Sequence, residues 1–301
     1  MMKYHQPVLL KESVAGLKIK PDGVYVDATY GGGGHSKEIL NCLKNGKLVA
    51  FDQDEDAVAN VPDDKRLIFV RHNFRFLRNF LKYYEIDQID GLIADLGVSS
   101  HHFDTPQRGF SFRFSSNLDM RMNTKSNLTA SAIVNNYSVE EMARVFFEYG
   151  EIKKAKLLAK NIVNSRDKKP IVSTSDLIDA IEIFIPRHKE NQYLAQLFQA
   201  LRIEVNHEID NLKELLLQSV DFLKTGARIA IISYHSLEDR IVKNFFRYGN
   251  FESNETSTDL FGNIQRPLEP VNRKVIVPKE EEIKRNSRAR SAKLRIAEKL
   301  N

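Results

Sequence analysis

Cysteine is almost missing from this chain of 301 residues: Cys42 is the only one. A single thiol excludes an intramolecular disulfide and any multi-cysteine zinc or iron–sulfur site, and it fits a reducing cytosol. Long hydrophobic runs are missing too. The most apolar stretches are a few residues long, as in 228–233 (RIAIIS), against the roughly 20 that a membrane-spanning helix needs. The opening MMKYHQPVLLKES has no apolar core and no small-residue cleavage site, so no secretory leader is expected there. No internal repeat and no low-complexity segment occurs.

What remains is 42% hydrophobic and 28% charged, the composition of an ordinary globular chain long enough for one large domain or two moderate ones. The net charge is +5. Its distribution is uneven. Residues 284–299 carry seven Lys or Arg against one acid, Glu298, so this block alone exceeds the charge of the whole chain. Such a block is either a solvated tail or a contact to a polyanion.

The N-terminal third alternates short β-branched runs with helix-compatible segments. The runs are 23–29 (GVYVDAT), 47–51 (KLVAF), 66–70 (RLIFV) and 89–94 (IDGLIA); helical patterns fill 36–43, 55–60 and 74–84. This alternation predicts right-handed βαβ units and a parallel sheet covered on both faces. Ligands then sit beyond the carboxyl ends of the strands, where Asp27, Asp52 and Asp95 fall. The next strand that fits is 228–233, about 130 residues after Asp95, far more than a crossover needs. The excess reads as a helical insertion. Ser138 to Glu141 forms a capping box opening a helix through Phe147. Ile152, Ala155, Ala159 and Ile162 recur at helical spacing, as do Leu177, Ile181 and Ile185. Residues 191–225, free of Pro and Gly, predict one long helix returning to the sheet.

The chemistry gathers at strand ends. Gly31-Gly-Gly-Gly-His-Ser36 follows a strand and precedes a helix, where glycines let the backbone approach a ligand and helix amides face it. No Gly-Lys-Ser/Thr follows, so this is not a nucleotide-hydrolysing loop, and the third glycine of the dinucleotide pattern is absent. Asp52, about twenty residues on, is placed to accept from ribose hydroxyls. Together they indicate an adenosine-containing cofactor, with NAD and S-adenosylmethionine both open. Asp95 stands at the catalytic edge as a proton or hydrogen-bond acceptor, or else as a cap or turn residue. His101-His102 lack a third ligand at recognisable spacing, so no metal is expected. Ser236 beside His235 lacks a nucleophile elbow, and adjacent residues cannot readily pair as nucleophile and base.

In order along the chain stand DATYGGGGHS, AFDQD, DGLIADLGVSS, RGFSF, LDMRM, FEYGE, FQALRIEVN, ISYHSLEDRIVK and NSRARSAKLRIAE. This series resembles the RsmH (MraW) family nearly end to end. Those bacterial enzymes use S-adenosylmethionine to methylate N4 of a cytidine in the decoding region of small-subunit ribosomal RNA. The resemblance implies an α/β class I methyltransferase (Rossmann-like) sheet in 1–115 and 201–301, interrupted by a helical substrate-recognition domain in 116–200. It implies Gly33, Gly34 and His35 under the methionine and ribose of the cofactor, Asp52 on the ribose, Phe74 against the adenine, and Asp95 near the reacting methyl. His102 stands where the family usually has Gln. Before FQALRI the family commonly has His-Pro-Ala, and this chain reads Lys189-Glu-Asn-Gln-Tyr-Leu-Ala195.

The implied partner is the small ribosomal subunit or its RNA, with no membrane and no metal, in the cytoplasm. Residues 291–297 (SAKLRIA) alternate as a closing strand would, placing Arg288 and Arg290 where RNA phosphates could be reached. Two rival classes stand beside this reading: an NAD-dependent oxidoreductase, and a non-catalytic RNA-binding assembly factor with a vestigial pocket.

Overall fold

The computed structural model describes residues 7–252, 265–272 and 274–301, apart from the side chains of Ser100 and His101. The chain divides into two compact units: Met1–Gly97 with Ile209–Asn301, and Val98–Glu208.

Among the described residues the first unit is built on seven strands: β1 (Val24–Asp27), β2 (Lys47–Phe51), β3 (Leu67–Val70), β4 (Ile89–Asp95), β5 (Leu223–Ser233), β6 (Leu268–Pro270) and β7 (Lys293–Lys299). Their order is β3-β2-β1-β4-β5-β7-β6. The first five are parallel, while β7 runs antiparallel to both β5 and β6. Period-two alternation divides the sheet's side chains between two apolar clusters. Val26, Val49, Leu92, Ile229 and Ile231 enter one, with Leu77, Leu81, Leu212 and Leu216 of the covering helices. Tyr25, Leu48, Ile93, Ala230 and Ile232 enter the other, with Leu9, Leu17 and Ile39. The strand order reverses between β1 and β4, which opens a crevice at their carboxyl ends.

The second unit is helical and has its own core, including Leu118, Met142, Phe146, Leu158, Leu177, Leu197 and Leu201. The helix Val139–Glu148 opens on the capping box expected at Ser138 and Glu141. A second box, from Ser173 and Asp176, opens the helix Thr174–Ile181. The insertion expected over 116–200 lies inside this longer compact unit, 98–208.

Three local expectations need correction. The single helix over 191–225 is two, Glu190–Asn206 and Glu208–Phe222. His207 stands between them with φ 51, its N–H reaching the carbonyls of Glu204 and Ile203, so the left-handed turn is closed by the backbone without Gly or Pro. Residues Glu55–Asn60 form a 3₁₀ rather than an α-helix, started by the Asp54 carboxylate accepting from Asp56 N–H. Ile185 follows the helix in extended backbone.

His207 is exposed, so its backbone strain can be tested cleanly. His207→Gly is expected to hold or raise the melting temperature, and His207→Val to lower stability by about 1–2 kcal/mol, because a β-branched residue is costly at positive φ. Equal melting temperatures for the two variants would show that this turn stores no strain.

Candidate active site

Three acids mark the edge where the crevice opens. Asp27 ends β1, Asp95 ends β4, and Asp52 directly follows β2. Asp27 is buried; it accepts from Thr29 N–H at 3.0 Å and from Ser36 Oγ at 2.7 Å, and burial raises its pKa. It serves to tie β1 to the first turn of the helix Gly34–Cys42.

Asp52 accepts from Gly31 N–H at 2.7 Å and from Asp54 N–H at 2.8 Å. Burial pushes its carboxyl up to about 6 in spite of both bonds. Each carboxylate oxygen keeps a further lone pair, which suits acceptance from a pair of ribose hydroxyls. Gly31 has φ +53, and a Cβ there would come no nearer than 4.0 Å to any neighbour, so this glycine borders open space. Gly33 is different. It has φ +75, and a Cβ would sit 2.5 Å from Tyr30 Oη, so the Tyr30 ring and the backbone both require glycine. A bulky residue at Gly33 therefore disturbs the loop's own packing, not cofactor contact alone. Gly34 packs on Pro7, whose Cγ lies 2.7 Å from a hypothetical Cβ.

His35 is buried. Its Nε2 donates to Val8 O at 3.1 Å, and Nδ1 lies 3.9 Å from Asp95 Oδ2. Phe74, half-buried against the core, lies in the 3₁₀ turn that follows β3. Asn73 beside it donates to Gln53 at 3.0 Å, which holds this turn against the segment after Asp52.

Asp95 is engaged at both backbone and side chain. Its N–H donates to Thr29 Oγ1 at 2.6 Å, and its Oδ1 accepts from Tyr234 Oη at 2.8 Å. The side chain remains 22% exposed, so part of it stays accessible. Burial, with help from the Asp27 and Glu238 charges and opposed by His35 and Tyr234, lifts its pKa to about 6.

The strand-end edge thus brings together Gly33, Gly34, His35, Asp52, Phe74 and Asp95. His102 belongs to the helical unit, where Nδ1 is 2.9 Å from Ser99 Oγ and the ring packs on Phe110. Arg288 and Arg290 lie in the 3₁₀ turn Ser287–Ser291 just before β7, which begins at Lys293, two residues later than expected. Sequence reasoning missed Tyr234, Thr29, Ser36 and Gly31 as neighbours of the acids. Tyr234 stood in view one residue past a strand end, the same position that singled out Asp52.

This strand order, with a glycine loop and acids at the carboxyl edge, defines a class I methyltransferase. The pattern of the MraW methylase family matches residues 2–300. A protein of Parabacteroides distasonis named ribosomal RNA small subunit methyltransferase H is 56% identical over 299 residues, spanning 99% of this chain and 98% of the relative. One of the same name from Flavobacterium johnsoniae is 55% identical over 300 residues, spanning 99% of each. Among solved structures, an rRNA methylase from Streptococcus thermophilus aligns over 100% of both chains at 13% identity, with a TM-score of 0.43. The chain belongs to the MraW methylase family. Its cofactor is S-adenosylmethionine, and the residues present suit it: Asp52 offers acceptors for a ribose, and Gly31 leaves the loop open beside it.

Asp95 gives a stability signature. The folded protein keeps this proton to about pH 6, whereas an unfolded carboxyl releases it near 3.8. Between those values the folded state binds more protons, so its stability falls as pH rises. Asp52 acts in the same direction. Asp95→Asn is therefore expected to stabilise the ligand-free protein by roughly 1–3 kcal/mol above pH 6 and by nothing below pH 4. Thermal melts across that range would refute the buried charge if wild type and variant ran parallel.

Proposed function

We propose that this chain transfers a methyl group to the exocyclic N4 of a cytidine in the decoding region of small-subunit (16S) ribosomal RNA, in the cytoplasm. The observation that carries the mechanism is Asp95, an accessible carboxylate that accepts from Tyr234 while its backbone N–H is tied to Thr29, at the end of β4, next to where the strand order reverses. Cytosine N4 is a poor nucleophile because its lone pair is delocalised into the ring. The protein must align it and accept from it as charge develops. Bound S-adenosylmethionine supplies an activated methyl on its sulfonium. In a direct in-line displacement, the N–C bond forms as the C–S bond breaks, and Asp95 takes up the hydrogen bond and then the proton of the amine. A carboxyl near 6 is ionised at neutral pH and still basic enough for that role.

One feature supports N4 over ring carbon 5. Methylation at carbon 5 needs a cysteine nucleophile, and Cys42 closes the helix Gly34–Cys42 at the end remote from the glycine loop. No Pro-Pro occurs anywhere, so a backbone-carbonyl acceptor loop of that kind is absent and the carboxylate is left as acceptor. In this reading Gly33, Gly34, His35, Asp52 and Phe74 serve the cofactor, and the helical unit serves RNA recognition.

For the RNA, the basic segment divides in two. Lys293 and Arg295 of β7 pair with Asp239 at 3.2 and 2.7 Å and serve the sheet. Lys293 also pairs in register with Ser233, the last residue of β5, so the turn carrying Arg288 and exposed Arg290 lies at the same edge as Asp95. Arg288→Ala with Arg290→Ala is expected to weaken binding to decoding-region RNA, leave cofactor affinity alone, and reduce the salt slope by about 0.7–0.9 per lost phosphate contact. An unchanged slope with a lower melting temperature would make both arginines structural.

Mass spectrometry of small-subunit RNA from cells with and without the protein tests the whole reading. Loss of an N4-methylated cytidine supports it. Unaltered RNA turns the chain into a binding factor, and preference for NAD over S-adenosylmethionine in a binding assay would make it an oxidoreductase. Asp95→Ala is expected to cut methyl transfer by about 10²-fold or more at saturating cofactor. Near-normal turnover would leave Asp95 as a turn residue.

A further inference from the structure

Among the described strand-end acids, Asp95 alone is held by a phenol. Tyr234 immediately follows β5, so its position is set by the sheet. Its N–H donates to Glu238 Oε2 at 2.9 Å, and Glu238 N–H in turn meets His235 Nδ1 at 3.4 Å, the N-cap of the helix Ser236–Tyr248. The chain around Tyr234 is therefore anchored from both sides. The ring lies over the turn that follows β4: a Cβ on Gly97 would stand 3.5 Å from Tyr234 Cδ2, and Gly97 has φ +95. With backbone and ring both fixed, the hydroxyl can reach only one place, Asp95 Oδ1 at 2.8 Å.

We propose that Tyr234 is a positioning residue of the transfer, whose hydroxyl fixes the Asp95 carboxylate through Oδ1 and leaves Oδ2 to accept from the incoming amine. This rests on the reading of Asp95 as acceptor. Tyr234 itself is no base: burial and the Asp95 charge hold its phenol proton on well above the usual range, so it stays a donor at any working pH. The groups that face Asp95 are His35 from the helix Gly34–Cys42, Asp27 from β1, Tyr234 from the end of β5, and Glu238 from the helix Ser236–Tyr248. Glu282, in the helix Glu280–Arg285, acts on Tyr234. Asp27 and Glu238 disfavour a second negative charge at Asp95, and His35 approaches only to 3.9 Å. Tyr234 is the side-chain hydrogen-bond donor that both favours the ionised form and sets its direction.

Tyr234→Phe keeps the ring and removes only the hydroxyl. On small ribosomal subunits, kcat is expected to fall about ten-fold, while KM for subunits and Kd for S-adenosylmethionine stay within about two-fold. The acid limb of the kcat–pH profile is expected to move upward. In ligand-free protein carrying ¹³C-labelled aspartate, NMR should show Asp95 titrating at higher pH in the variant. 3-Fluorotyrosine at position 234, a stronger donor, should move that midpoint downward. A midpoint unmoved by both changes, or a kcat loss matched by lost subunit affinity, overturns the proposal. Asp95→Asn separates this from the reading on which it rests. Full turnover in that variant removes Asp95 as acceptor and the role of Tyr234 with it; impaired Asp95→Asn beside unimpaired Tyr234→Phe removes the tyrosine's role alone.

Discussion

Burying carboxylates at the ends of parallel strands is the constraint on which the rest of the site depends. A lone carboxylate taken out of water would neutralise or force the fold to open. Here each acid has a different remedy. Asp27 is satisfied by Ser36 and the Thr29 amide, Asp52 by the amides of Gly31 and Asp54, and Asp95 by the phenol of Tyr234. Only the first is fully enclosed. The other two keep capacity for a ligand, and the raised pKa values record how incomplete the compensation is. The glycine loop follows from this arrangement, because Gly31 must turn its N–H onto Asp52 while Gly33 makes room for Tyr30.

The charged groups outside the site divide along similar lines. In the helical unit, Arg121 forks onto Asp119 and caps the carbonyls of Thr124 and Ser126, so the basic residue of LDMRM holds a loop together. Asp239, from HSLEDR, does the same for Lys293 and Arg295 across the sheet edge. Motifs that look like chemistry in one dimension serve here as brackets. The charge available for a polyanion is correspondingly smaller than the count in residues 284–299 implies.

Periodicity and strand-end acids were enough to read the sheet. β1, β2, β4 and β5 fall where short apolar runs end at Asp or Ser, and β3 where one ends before Arg71, since a parallel strand buried on both faces reads as a near-continuous apolar run. The helical insertion was legible from the length of chain between β4 and the next apolar run, and its capping box at Ser138 from local hydrogen-bonding chemistry. The break at His207 was not legible. A non-glycine residue enters left-handed backbone there, its N–H closing onto the carbonyls of Glu204 and Ile203, and composition carries no trace of that.

The sequence by itself determined the fold class, the family and the sheet edge where the acids gather, because each rests on interactions between residues near in the chain or on a long ordered series of motifs. Tertiary structure alone decided which groups surround each acid. Thr29 and Tyr234 are 66 and 139 residues from Asp95 in the chain, yet both reach it. Their meeting follows from β1 and β5 flanking β4, and strand order is fixed by the packing of the whole sheet. No pattern along one segment encodes that adjacency, so the hydrogen bond that orients the carboxylate becomes visible only once the strands are side by side.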